Sequence, residues 1–202
     1  MSPLETLGFA LGTSFASGLN LYATVAAAGL FQRFGIIQLP DSLQVLASPF
    51  VLGIAILLFV IEFVADKIPM FDLVWNALQT FVRVPVGALL AYSATNGLSP
   101  TWQLAAAAVG GGIAFAAHGG KTAARAAVTP SPEPVSNFVL SVGEDAFAIF
   151  ITWFATQHPY LAAIIVVILL VIIVVLVRWI VGAIRSMMRS AAQRWDRLAV
   201  KA

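Results

Sequence analysis

Residues Leu161 to Val177 form an unbroken run of seventeen apolar side chains, mostly Ile, Val and Leu. A run this long and this uniform predicts a helix surrounded by lipid rather than a strand or a half-buried surface helix. Composition extends that expectation to the whole chain, since 60% of its residues are hydrophobic and 10% charged, where a soluble domain carries about 25% charged residues. Each crossing needs about 20 apolar residues, so a chain of 202 residues has room for one domain with five to six crossings. Zero cysteines exclude disulfides, thiolate metal sites and thiol nucleophiles. The start, Met1 to Glu5, lacks the basic stretch of a secretory signal, so the first apolar segment is expected to be retained.

Five segments precede the apolar run. Segment one, Leu7 to Leu30, is rich in small and weakly polar residues, and Ser17, Asn20, Thr24 and Ala27 fall on one helical stripe suited to close packing or a polar lining. Leu39-Pro40-Asp41-Ser42 reads as a turn leading into a helix. Segment two, Pro49 to Val64, is strongly apolar and ends in Glu62-Phe63-Val64-Ala65-Asp66-Lys67-Ile68-Pro69, with Glu62 and Asp66 on one face. Segment three begins at Phe71-Asp72 and contains Arg83-Val84-Pro85, which predicts a kink or break near Pro85 because proline removes a backbone donor and crowds the preceding turn. Segment four, Trp102 to Val128, carries Gly110-Gly111-Gly112 and then His118, Lys121 and Arg125 on one side. The glycine run lacks the strand and the Lys-Ser/Thr ending of a phosphate loop, so close helix packing is the reading it supports. Thr129 to Pro134 is too proline-rich to be helical, and segment five, Ser136 to Thr156, contains Glu144-Asp145.

The expected fold is therefore all-α: a polytopic membrane protein of about six transmembrane helices over residues 1–183, one kinked or broken near Pro85, with a C-terminal amphipathic helix over 184–202. Six of the eleven basic residues, Arg178, Arg185, Arg189, Arg194, Arg197 and Lys201, lie in the last 25 residues. The tail is expected on anionic lipid headgroups, and six crossings with this tail in the cytoplasm put both termini inside a bacterial inner membrane. Ser48-Pro49-Phe50-Val51-Leu52-Gly53 is similar to Ser136-Asn137-Phe138-Val139-Leu140-Ser141, and Ala16 to Arg33 to Ala108 to Arg125. These likenesses suit an inverted repeat with halves 8–95 and 102–183, or chance similarity between small-residue helices.

Ionisable groups at membrane depth are costly, by about 2.5–3.5 kcal/mol each on insertion scales, so they pair, face water or perform a task. Here they cluster in segments two to five. Glu62, Asp66, Glu144 and Asp145 are the candidates to bind or couple to a cation or proton, and Asn20, Arg83, His118 and Lys121 the candidates to line a cavity with them. Lys67, Asp72 and Arg125 read as anchors near helix ends. Glu62, Asp66, His118, Glu144 and Asp145 also offer the hard oxygen and imidazole donors a metal would take, although no spacing demands one. No cofactor is indicated, and nothing points to nucleic acid.

Ser14-Phe15-Ala16-Ser17-Gly18-Leu19-Asn20-Leu21-Tyr22, Glu62 to Pro69 and Ser141-Val142-Gly143-Glu144-Asp145 resemble the bacterial membrane proteins of domain-of-unknown-function family 4126. The resemblance runs from about residue 8 to 156 and implies a multi-spanning membrane protein, without implying an activity. The functional expectation rests on the charges: a small transporter or channel, open to homo-oligomer formation, that moves an ion or small solute through a charged cavity between helices. A membrane-embedded enzyme acting on a lipid headgroup and an accessory membrane-organising protein are the alternatives.

Overall fold

The computed structural model describes residues 2–66, 69–128 and 134–199, so Lys67 and the linker Thr129 to Glu133 lie outside the described residues, as does the side chain of Asp72. Among the described residues all regular structure is helical: α1 (Pro3–Leu19), α2 (Leu21–Arg33), a 3-10 turn (Asp41–Ala47), α3 (Pro49–Ala65), α4 (Pro69–Ala94), α5 (Pro100–Val128), α6 (Pro134–Gln157) and α7 (Pro159–Ala199). Every one of these α-helices except α2 starts on proline. Its fixed φ suits a first turn, and the N–H it lacks would have had no helical partner there. Ser2 and Glu5 close a reciprocal capping box on α1, and Ser48 caps α3 by accepting from the Val51 N–H.

Segment one departs most from expectation. It is two helices, interrupted at Asn20, whose backbone is extended (φ −147°, ψ 105°). A straight helix would hold Phe9 and Ala28 about 28 Å apart. Instead Phe9 and Thr13 of α1 line one narrow space together with Thr24, Val25 and Ala28 of α2, and Pro3 and Thr6 share a wider one with Gln38 to Asp41. Segment one thus enters the bundle and returns to the same end, as a hairpin with Asn20 at its tip.

That end also gathers the α4–α5 loop and the α6–α7 junction. Ser42 Oγ donates to the Ser93 carbonyl, Gln157 Nε2 to the Ile36 carbonyl at 3.5 Å, and Ser2 Oγ lies 3.3 Å from the Tyr160 hydroxyl. The C-terminus of α3 and the last turns of α5 meet at the opposite end, where Asp66 pairs with Arg125.

The expected break at Pro85 is absent: α4 continues through it for 26 residues. Nor does the basic tail begin a new element, since α7 runs for 41 residues without interruption. At 1.5 Å per residue that is about 60 Å, twice the hydrocarbon thickness of a bilayer. The glycine run packs as its composition suggests, at two of its three positions. A Cβ on Gly110 would sit 2.5 Å from Ala91 Cβ, and one on Gly111 3.2 Å from Ala88 Cβ, whereas Gly112 meets nothing.

Phe138–Gln157 of α6 and Pro159–Arg189 of α7 are long and apolar enough to cross a membrane, and the 3-10 turn with α3, bent by 65°, makes a third candidate. In α4 and α5 the polar residues are the buried ones (Asn76, Gln79, Arg83, His118, Lys121, Arg125), while Leu78, Phe81, Leu89, Trp102, Leu104 and Phe115 face outward. That pattern, apolar outside and polar within, suits lipid and not water.

Candidate functional site

The hairpin tip is where the polar interior concentrates. Ending α1 at Leu19 frees carbonyls that a continuing helix would have used, and the C-terminal end of a helix carries partial negative charge. Cations from other helices meet that end. Arg83 Nη1, from the middle of α4, donates to the carbonyls of Gly18 (3.0 Å) and Leu19 (2.8 Å), and Lys121 Nζ of α5 donates to Leu19 at 3.2 Å. Asn20 then starts α2: its Oδ1 accepts from the Ala23 N–H at 2.9 Å, and its Nδ2 donates to Asp145 Oδ1 of α6 at 2.7 Å. These two bonds together fix which side of the amide is oxygen. Gly18 allows the approach, because a Cβ there would lie 2.5 Å from the Ala114 carbonyl of α5.

Around the tip the charged side chains form one connected network. Arg83 and Glu62 are fully buried and paired through Nη2 and Oε1. Lys121 Nζ lies 3.1 Å from Asp66 Oδ2 and 3.5 Å from both Glu62 Oε1 and Glu144 Oε2. Arg125 Nη2 contacts Asp66 Oδ2 and Glu144 Oε2, each at 2.8 Å. His118 Nδ1 faces Arg83 Nη1 at 3.1 Å, and its Nε2 lies 3.0 Å from the Asn76 carbonyl and 2.9 Å from Thr80 Oγ1. A guanidinium can only donate, so Nδ1 accepts, the proton sits on Nε2, and the imidazole is neutral.

All eight residues expected to form a site therefore meet around one point. Of the metal candidates among them, Glu62, Asp66 and Glu144 face the protein cations Arg83, Lys121 and Arg125, Asp145 faces Asn20, both His118 nitrogens are engaged, and no group of three or more His, Asp or Glu is placed to share an ion among the described residues. Arg125, expected as an anchor, belongs to the network. Asn76, Gln79 and Thr80 escaped notice, Gln79 donating to the Tyr22 hydroxyl of α2 at 3.1 Å. Their spacing with Arg83, three to four residues apart on one largely apolar helix, is the signal that marks them.

Two spaces lie between the tip and the open end of the hairpin. The wider, about 360 Å³, is lined by Thr6, Gln38, Asp41 and Asn96 among others. The narrower, about 10 Å³, is ringed by Phe9, Leu39, Leu43, Leu46 and Leu90 with Thr13 and Thr24, and is about the least volume that holds one water. Leu39 lines both.

No curated protein and no solved structure matches the chain, whereas the family model described as Domain of unknown function (DUF4126) matches residues 7–179.

Proposed function

The chain belongs to the DUF4126 family, and we propose that this member is a small membrane transporter or channel that carries an ion or small solute past the tip of the α1–α2 hairpin. The observation that carries this reading is the broken helix itself. Main-chain carbonyls and a capping amide are presented inside a bundle, at a point where charges from α3, α4, α5 and α6 converge, and discontinuous helices are how transporters build ion and solute sites away from water. A purely structural ion-pair network would not need a helix interrupted at its centre.

In this reading five elements cross a bacterial inner membrane, α3 with its 3-10 turn and then α4 to α7, and the hairpin enters and leaves on one side, so five crossings replace the six expected. The start of α1 and the end of α7 then lie on opposite sides. Arg33 is the only Lys or Arg at the hairpin's open end, whereas Arg178, Arg185 and Arg189 follow the apolar run of α7; the positive-inside rule therefore directs the wide cavity outward and the basic end of α7 to the cytoplasm and its anionic lipids. Of the inverted repeat there remains the opposed direction of α3 and α6, each delivering acids to the same point. The apolar ring of Phe9, Leu39, Leu43 and Leu90 would be the outer gate, and the charged network the binding and coupling region.

A lipid-headgroup enzyme is less well supported, because Lys121 and Arg125, the groups that would hold a phosphate, are already engaged by Asp66 and Glu144. The test is flux in proteoliposomes, after a screen of ions and metabolites has identified a solute. Glu62→Gln and Glu144→Gln are expected to abolish transport in protein that remains folded, and unchanged flux in both variants would overturn the assignment.

A further inference from the structure

The four acids at the tip are not equivalent. Glu62, Asp66 and Glu144 are matched by Arg83, Lys121 and Arg125, each acid within salt-bridge distance of at least one cation, and His118 is neutral by its hydrogen bonds. Three against three closes that set among the described side chains. Asp145 is the fourth carboxyl and is left over. It is 5% exposed, no Lys or Arg pairs with it among the described residues, and its only hydrogen bond is the one from Asn20 to Oδ1, which leaves Oδ2 without a partner. One turn earlier on the same face of α6, Ser141 is fully buried and its Oγ also has no partner.

We propose that Asp145 carries an exchangeable proton at the hairpin tip, with Asn20 holding one oxygen and Ser141 as the neighbour of the other. A lone buried carboxylate costs far more than a neutral carboxylic acid, so the charge is cancelled either by a bound proton or by a bound cation. The proton is the better fit. A hard metal cation gathers about six oxygens, whereas the unpartnered buried carboxylate and hydroxyl oxygens here are two on α6 and two on α3, Glu62 Oε2 and Asp66 Oδ1, whose carboxylates are already paired with Arg83 and Lys121; a carboxylic acid needs a single acceptor for its O–H, which the Ser141 hydroxyl can be. The charged groups acting on Asp145 from the packed elements are Lys121 of α5, which favours its ionised form, and Glu62 and Asp66 of α3, which oppose it. From α1 and α2 it meets the uncharged Asn20, and the stretch of α7 packed in this core, Ala162 to Ile173, carries no titratable side chain. Proton loss from Asp145 would place a negative charge against the amide that caps α2, linking the protonation state to the geometry of the tip. That role rests on the transport reading above; the site does not.

Infrared spectroscopy of the full chain in nanodiscs of phosphatidylcholine reads the site without any solute. A protonated carboxyl band is expected at neutral pH in the wild type, lost in Asp145→Asn, and retained but shifted to higher frequency in Asn20→Ala, which removes the donor and keeps the acid. Should Asp145→Asn fail to fold, Asp145→Glu keeps the acid and must move the same band. A band unchanged in these variants, no band in the wild type, or a band abolished when sodium replaces choline would overturn the proposal. A band that behaves as expected in a protein with no flux for any solute would leave the proton site standing and remove the transport reading. Flux lost in Glu144→Gln without any such band would do the reverse.

Discussion

The hairpin tip and helix α7 lie in one bundle and obey opposite rules. At the tip, Arg83, Glu62, Asn20 and Ser17 are fully buried, and Arg83, Glu62 and Asn20 each have a polar partner on another helix. Along Pro159–Arg189 of α7, 11% of the most apolar window is buried, and Ile164, Val167, Ile168, Val171 and Val175 look outward. The first region is specified side chain by side chain, because hydrocarbon punishes an unpaired group. The second is specified by composition, because lipid does not distinguish one aliphatic side chain from another. Tolerance to substitution should therefore differ sharply between them.

The largest effect is expected for Arg83→Met, which leaves buried Glu62 with only Lys121, 3.5 Å away, and the Gly18 carbonyl without a donor. Removing one member of a buried ion pair costs about 3–5 kcal/mol, read by denaturant unfolding in detergent with helicity as the signal. Gly18→Ala comes next, since its Cβ would approach the Ala114 carbonyl to 2.5 Å and Ala117 Cβ to 2.7 Å; overpacking of this kind costs about 1–3 kcal/mol, and the same unfolding assay would record it. Asp145→Asn sharpens the contrast from within the tip. It keeps the acceptor for Asn20 and removes no ion pair, so its cost should stay within about 1 kcal/mol, the scale of one net hydrogen bond; a loss as large as that of Arg83→Met would mean that the four acids are equivalent after all. At the small end, Val167→Leu and Val175→Ile on α7 should change stability by less than about 0.5 kcal/mol. If either matched Gly18→Ala, α7 would be packed against a partner and not against lipid.

The same contrast governs what could be read from the sequence. The apolar run of α7 and the proline start of α3 at Pro49 are local signals and stand out directly. So do the buried charges, because Glu62, Arg83, Lys121 and Asp145 are conspicuous in an apolar chain. The break at Asn20 is not local. A Gly-Leu-Asn stretch is compatible with a continuous helix, and what makes interruption tolerable is that its freed carbonyls find donors 64 and 102 residues further along. The break expected at Pro85 fails for the complementary reason: the single bond it removes leaves α4 continuous once α1 and α5 pack on either side, with Gly87 close to Ser17 and Ala114. Arg125 looks like an anchor because it lies near the end of α5, and only the position of α6 shows that the end of that helix is covered by Glu144.

The distance along the chain between the tip and its donors also bears on the order in which the parts can assemble. α1 and α2 are made first, yet the groups that quench the Gly18 and Leu19 carbonyls arrive with α4 and α5, and Asp145 later still. Carbonyls without donors are not tolerated in hydrocarbon, so the hairpin is expected to settle at membrane depth only once α4 and α5 have been delivered.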